Sequence, residues 1–323
     1  MTRVAAIDCG TNSIRLLVAD ADPATGELVD LDRRMQIVRL GQGVDKTGRL
    51  AQEALDRTFA ACRDYAAIIK EHGAERLRFV ATSASRDAEN RDEFVRGVLD
   101  ILGVEPEVIS GDQEAEFSFT GATKELTGRA DVPGPYLVVD IGGGSTEFVV
   151  GDGQVRAARS VDVGCVRMTE RHLVHDGVVT DPPTEAQLAA VRADVAAALD
   201  LAEKTVPLRE ARTLVGLAGS VTTVAAIALG LDTYDSTAIH HARIPYERVR
   251  DITDRLAHST HAERAAISVM HPGRVDVIAA GALVLLAIME RTGAHEVVVS
   301  EHDILDGIAF SVAEEAQAGS GAE

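Results

Sequence analysis

Two short stretches carry the residue types that phosphate chemistry needs. In Tyr136–Gly151 an apolar run, Leu137–Val139, delivers Asp140 to Gly142, Gly143 and Gly144, with Ser145, Thr146 and Glu147 directly behind. Glycines lack a Cβ, so the main chain can approach a ligand closely and successive N–H groups can converge on phosphate oxygens, while the Ser145 and Thr146 hydroxyls add donors. Asp140 and Glu147 offer carboxylates of the kind that hold magnesium. The same arrangement recurs near the N-terminus, where Val4–Ile7 leads to Asp8, then Gly10-Thr11-Asn12-Ser13, then Arg15 within a second apolar run. A shift of 132 residues lays Asp8 on Asp140, Gly10 on Gly142, Asn12 on Gly144 and Ser13 on Ser145 without a gap. One such turn is as readily a plain hairpin as an anion cradle. Two in register predict related domains that face each other across a ligand.

Other residues join these turns as candidates. A strand over Arg76–Thr82 leads to Ser83 and Arg86, and polar groups at the carboxyl end of a strand in an open α/β sheet sit where ligands bind. Arg86 is a candidate phosphate clamp, or else a member of a surface ion pair. A strand over Val104–Ser110 leads to Asp112, Glu114 and Glu116, followed by a helix over Phe117–Leu126. Asp112 reads as a complement to the helix dipole, whereas a carboxylate on the first turn could face an attacking water; spacing does not choose between Glu114 and Glu116. After the strand Thr213–Leu217, Gly219 and Ser220 form either an anion site at a helix N-terminus or a tight helix–sheet contact. Arg274, ahead of a buried helix Val275–Glu290, either turns its charge toward the ligand or caps a surface. His240 and His241 have no partner at metal spacing and read as structural or solvent-facing.

The elements that must position these groups are legible in outline. Leu28–Arg39 and Gln154–Val161 read as further strands, and Ala51–Glu71, Arg91–Leu102 and Glu185–Val206 have helical spacing. Gly128–Pro135 is the most linker-like segment and marks the domain boundary. The expected domains are 1–128, completed by a closing helix within 303–316, and 129–302. At 323 residues, 46% of them hydrophobic, the chain is long enough for two cores. A formal net charge of −19 argues against nucleic acid or an anionic membrane as partner, and a polyanionic ligand would need local arginines or a metal ion. Cys9, Cys62 and Cys165 are widely spaced without a CxxC pair, the chain opens on a strand rather than a signal peptide, and the apolar run Val277–Met289 is too short to span a bilayer. These features point to the cytoplasm.

Taken together, IDCGTNS with Arg15, TSASRDAENRDEF over Thr82–Phe94, Ile109-Ser110-Gly111 leading to Glu114-Ala115, DIGGGSTE over Asp140–Glu147, GSVTT from Gly219, and Arg274 with VDVI make a specific set. With these motifs in family order over nearly its whole length, the chain resembles the exopolyphosphatase/guanosine pentaphosphate phosphohydrolase (Ppx/GppA) family of the actin-like ATPase superfamily, in its short two-domain form. The resemblance implies an α/β fold of two actin-like (ribonuclease H-like) domains facing each other across an interdomain cleft. It implies a magnesium-dependent hydrolase, with manganese as the alternative ion, acting on inorganic polyphosphate or on guanosine pentaphosphate, an alarmone of the stringent response, and assembled as a homodimer. It selects Glu114 as the catalytic base. Phosphate contacts fall to Gly10, Thr11, Asn12, Ser13, Arg15, Arg86, Gly142, Gly143, Gly144, Ser145, Gly219, Ser220 and Arg274, and metal contacts to Asp8, Asp140 and Glu147. The chain departs from the family pattern at Gln113, where a paired glutamate usually stands, and at Glu116, where an arginine is common. Longer relatives carry a further helical C-terminal region, and without it processive degradation is not expected. A sugar or acetate kinase of the same superfamily and a non-hydrolytic alarmone sensor are the competing readings.

Overall fold

The structure, a computed structural model, describes residues 1–175 and 178–320. It divides into two compact units, one made of Met1–Glu125 with the chain from Asp303 onward, the other of Leu126–His302.

In the first unit, strands β1 (Thr2–Cys9), β2 (Ser13–Asp22) and β3 (Glu27–Ile37) form an antiparallel meander, and β4 (Arg76–Ala81) and β5 (Glu107–Val108) lie parallel to β1 in the order β3-β2-β1-β4-β5. Side chains alternate faces along β1. Ala5 and Ile7 join a core that includes Leu55, Cys62 and Tyr65 of the helix Gln52–His72. Val4 and Ala6 join a second core with Ile304, Leu305, Ile308 and Val312 of the closing helix Ile304–Ser320. Each fully buried Val, Leu or Ile side chain among these stabilises by about 1.5–3 kcal/mol. The closing helix packs hard against the helix Gly111–Thr123 because both carry a glycine at the contact: a Cβ on Gly121 would strike the Asp303 carbonyl, and one on Gly307 the Phe117 carbonyl. The strand expected over Val104–Ser110 shrinks to two residues, and the helix expected from Phe117 begins at Gly111. Ser110 and Gln113 explain the early start, since each side chain pairs with the other's backbone N–H in a capping box.

The second unit repeats the plan. Strands β6 (Tyr136–Ile141), β7 (Thr146–Gly151) and β8 (Val155–Val161) form the meander, β9 (Val174–His175) and β10 (Val178–Val179) a small separate ladder. Next, β11 (Thr213–Leu217) runs parallel to β6, and β13 (Glu296–Val299) parallel to β11, with β12 (Arg243–Pro245) antiparallel at the edge. Read from β8, the order β8-β7-β6-β11-β13 matches that of the first sheet. Every residue of β6 and β7 is buried. Gly128–Pro135 lies at the start of this unit, just after its first residue, Leu126. Leu126 and Val132 are buried, and the Tyr136 hydroxyl donates toward the carbonyls of Leu126 (2.9 Å) and Val132 (3.0 Å). The buried helix expected from Val275 begins at Ile278, because Pro272–Arg274 forms a 3-10 turn ahead of it. The amphipathic helix Tyr246–His258 was not foreseen. Among the described residues no helix is long and apolar enough to cross a membrane.

Candidate active site

Both glycine turns close the same way. The Gly10 N–H donates to the Ser13 carbonyl at 2.9 Å and the Gly142 N–H to the Ser145 carbonyl at 3.0 Å. Each turn's carbonyls are then taken by a later segment. Thr11 O accepts from Gly41 N, and Asn12 O from Val38 N and Arg39 N. Gly142 O accepts from Cys165 N, and Gly143 O from Val166 N and Arg167 N. Among the described residues the N–H groups of Thr11, Asn12, Gly143 and Gly144 donate to no backbone acceptor. Turns with satisfied carbonyls and unused amides are suited to an anion.

In the first unit the turn adjoins the other candidates. The Thr11 and Ser83 hydroxyls are 2.9 Å apart, and Ser83 opens the short helix Ser83–Arg86. Arg86 Nη1 donates to the Ile109 carbonyl (3.0 Å) and to Glu114 Oε2 (3.2 Å). Glu114 is buried on the first turn of its helix, whereas Glu116 is exposed. Arg15 lies opposite Asp8 across the β1–β2 ladder and donates to its Oδ2 at 2.7 and 3.0 Å, while its other end pairs with Asp303. Asp8 Oδ1 is buried and, among the described residues, accepts no hydrogen bond. Burial pushes the Asp8 carboxyl above its ordinary range, with Arg15 pulling the other way.

In the second unit Asp140 and Glu147 face each other across the β6–β7 ladder, 7% and 1% exposed. Glu147 Oε1 accepts from the Ser160 hydroxyl at 2.7 Å. Carboxylates side by side repel, and burial sharpens the repulsion, so hard oxygen ligands placed this way suit a divalent cation. The turn continues into Gly219, Ser220 and Arg274. Cys165, whose N–H holds Gly142 O, packs with Ser220 against Gly281, where a Cβ would strike the Ser220 side chain and crowd that of Cys165. The Arg274 guanidinium lies flat on Gly219, where a Cβ would come within 2.5 Å of Cζ, and its Nη1 donates to Thr223 Oγ1 at 3.0 Å. Ala218, the first residue of the helix Ala218–Leu229 that carries Gly219 and Ser220, has φ 67, a left-handed conformation that costs a non-glycine residue energy and collects at binding sites.

The sequence of the whole chain and its three-dimensional form both decide the family. Residues 17–316 match the Ppx/GppA phosphatase family. The chain belongs to the Ppx/GppA phosphatase family. It is 53% identical to exopolyphosphatase 2 of Mycobacterium tuberculosis, over 97% of this chain and 99% of that protein. The crystal structure of an exopolyphosphatase-like protein superposes with a TM-score of 0.92 at 45% identity, covering 98% of this chain and 100% of the other. The Aquifex aeolicus Ppx/GppA family member gives 0.78 at 31% identity, covering 98% of each.

Within this Ppx/GppA chain, each unit gathers its own candidates. Gly10, Thr11, Asn12, Ser13, Arg86 and Glu114 lie in the first, and Asp140, Gly142, Gly143, Gly144, Ser145, Glu147, Gly219, Ser220 and Arg274 in the second. Arg15 and Arg86 are both engaged by carboxylates of their own unit. Three contributors went unnoticed in the sequence, and a fourth, Gln113, was noticed only as a departure from the family pattern. Asp303 holds the far end of Arg15; Gly41 and Gly164 press against the turns, a Cβ on the first striking Thr11 and on the second lying 2.7 Å from Gly144 N; and Gln113 caps the helix that carries Glu114. Only Gln113 had a readable signal, the Ser-x-x-Gln spacing of a capping box. His240, read as structural, stacks on His241 with ring centroids 3.7 Å apart, and its Nδ1 accepts from the Glu301 N–H at 3.1 Å.

Proposed function

We propose that this chain is an exopolyphosphatase that releases orthophosphate from the end of inorganic polyphosphate, with Glu114 as general base. The observation that carries the reading is the setting of Glu114. It is a buried carboxylate on a rigid first helical turn, oriented by Arg86, in the unit whose glycine turn leaves amides unused. Glu114 takes a proton from the attacking water. Arg86, anchored to the Ile109 carbonyl, fixes that carboxylate and presents positive charge to the phosphoryl oxygens. The amides of Thr11 and Asn12, with the Ser13 hydroxyl, offset charge on the oxygens at the first turn. Those of Gly143 and Gly144, with Ser145, Ser220 and Arg274, do so at the second. Most of the rate comes from positioning and charge stabilisation, as in other phosphoryl transfers.

The buried pair fits a magnesium or manganese ion, and Asp140 and Glu147 would hold it. When bound, the ion would neutralise charge on the leaving phosphate. Asp8, its other oxygen taken by Arg15, offers Oδ1 to a hydrogen-bond donor on the ligand or its water shell. The 53% identity to an exopolyphosphatase supports this choice of substrate over a sugar kinase. Glu114→Gln keeps the shape and removes the basicity, so phosphate release from polyphosphate should fall roughly 100-fold or more in kcat with unchanged thermal unfolding. Near-native turnover would refute the assignment. A substrate panel from short to long polyphosphate, with guanosine pentaphosphate included, decides the preferred substrate and exposes a sensor that binds without turnover.

A further inference from the structure

Arg264 is the largest fully buried side chain among the described residues, 1% exposed, and has no role in the chemistry above. It lies in the short helix His261–Ala265 of the second unit. Its Nε donates to the Val275 carbonyl at 3.0 Å and its Nη1 to the Ser259 carbonyl at 2.6 Å. Its Nη2 reaches Asp181 Oδ1 at 3.4 Å, an oxygen that also accepts the His261 N–H at 2.5 Å. Burying a guanidinium is costly, and an apolar side chain of similar volume serves packing as well or better. The charge is therefore explained by what its donors hold.

Two of the three donors grip backbone, and one grips the residue next to Arg274. The chain leaves Arg264, turns through Ile267 and Met270, and forms the 3-10 turn Pro272–Arg274. Within it Arg274 N donates to His271 O at 2.8 Å and Gly273 N to His271 Nδ1 at 3.1 Å. The bond from Arg264 to Val275 O closes this loop on itself from inside. Outside, Arg274 projects onto Gly219 with no room for even a methyl group between them. A shift of the loop by an ångström would lift the guanidinium off the helix N-terminus.

We infer that Arg264 is a positioning residue for Arg274, bracing the loop that sets its guanidinium at the Gly219–Ser220 anion site. The inference rests on the reading of Arg274 as a phosphate ligand, and a double-mutant cycle separates the two. Phosphate release from polyphosphate is measured for wild type, Arg274→Ala, Arg264→Lys and the double variant. Lysine keeps the charge but cannot span all three acceptors. Arg274→Ala should raise KM at least about 10-fold, and Arg264→Lys should raise it by about the same order with kcat within about threefold. Residues acting through one contact are not additive, so the double variant should match Arg274→Ala within about twofold. Additive losses, or an unchanged KM in Arg264→Lys, would overturn the positioning role. An unchanged KM in Arg274→Ala would instead overturn the reading of Arg274, and this inference with it. Should Arg264→Lys fail to fold, Asp181→Asn, which loosens the far end of the guanidinium, is put through the same cycle with the same outcomes.

Discussion

The two glycine turns share a backbone and differ in charge. Both close with one N–H to carbonyl bond across four residues, both have their carbonyls taken by a later segment, and both are backed by a glycine, Gly41 or Gly164, that leaves no space for a side chain. The position opposite the aspartate is where they part. Asp8 faces Arg15, which also holds Asp303, so the first turn carries its own counter-charge. Asp140 faces Glu147, so in the second a buried carboxylate stands where the first has an arginine. A duplicated cradle has thus been divided. On the proposed reading the first unit, with Arg86 and Glu114 nearby, would receive the phosphoryl group and its attacking water, and the second would hold a cation with the phosphate it neutralises.

Copying the first turn's charge onto the second tests that division most severely. Glu147→Arg would pair with Asp140 as Arg15 pairs with Asp8, and phosphate release at saturating magnesium should fall about 100- to 1,000-fold. The reverse perturbation should act on stability. Arg15→Gln leaves Asp8 and Asp303 buried without their shared cation, which should cost about 3–5 kcal/mol in denaturant unfolding. A loss of activity without a loss of stability would mean that Arg15 contacts substrate.

The backing glycines sharpen the comparison at smaller scale. Gly164→Ala meets the backbone of Gly143 and Gly144, whereas Gly41→Ala meets the Thr11 side chain. Backbone cannot step aside, so Gly164→Ala should lower kcat/KM about 10-fold or more and Gly41→Ala less. Thr11→Ser, which removes the clashing methyl, should restore much of the Gly41→Ala loss. The smallest effect belongs to Gln113→Glu. Glutamate caps as well as glutamine, so activity on polyphosphate should stay within about twofold; a larger rise would mean that the residue contacts substrate rather than the Ser110 backbone.

How much of this was legible follows from how local each feature is. Asp-x-Gly-x-x-Ser announces a strand delivering an acid to a tight turn, and the two copies, with the strands around them, stood out because nothing beyond a dozen residues is needed to read them. The strands that became β4 and β11 were legible too, but their pairing with β1 and β6 is seen only in the structure. What joins distant chain was not legible. Nothing near Arg15 in the sequence announces Asp303, 288 residues away, which pairs with it. The linker-like composition of Gly128–Pro135 gave no sign that Tyr136 folds back onto it. Gly41 and Gly164 look like loop glycines, because close approach is a property of the neighbour and not of the glycine.

Direct calorimetric titration of magnesium into the free protein tests the division of labour without depending on turnover. Glu147→Gln should weaken binding at least about 10-fold, and Asp8→Asn should leave it within about threefold, because removing a carboxylate from a cation costs far more than removing one already matched by an arginine. Equal weakening by the two substitutions, or magnesium binding indifferent to Glu147, would contradict the account.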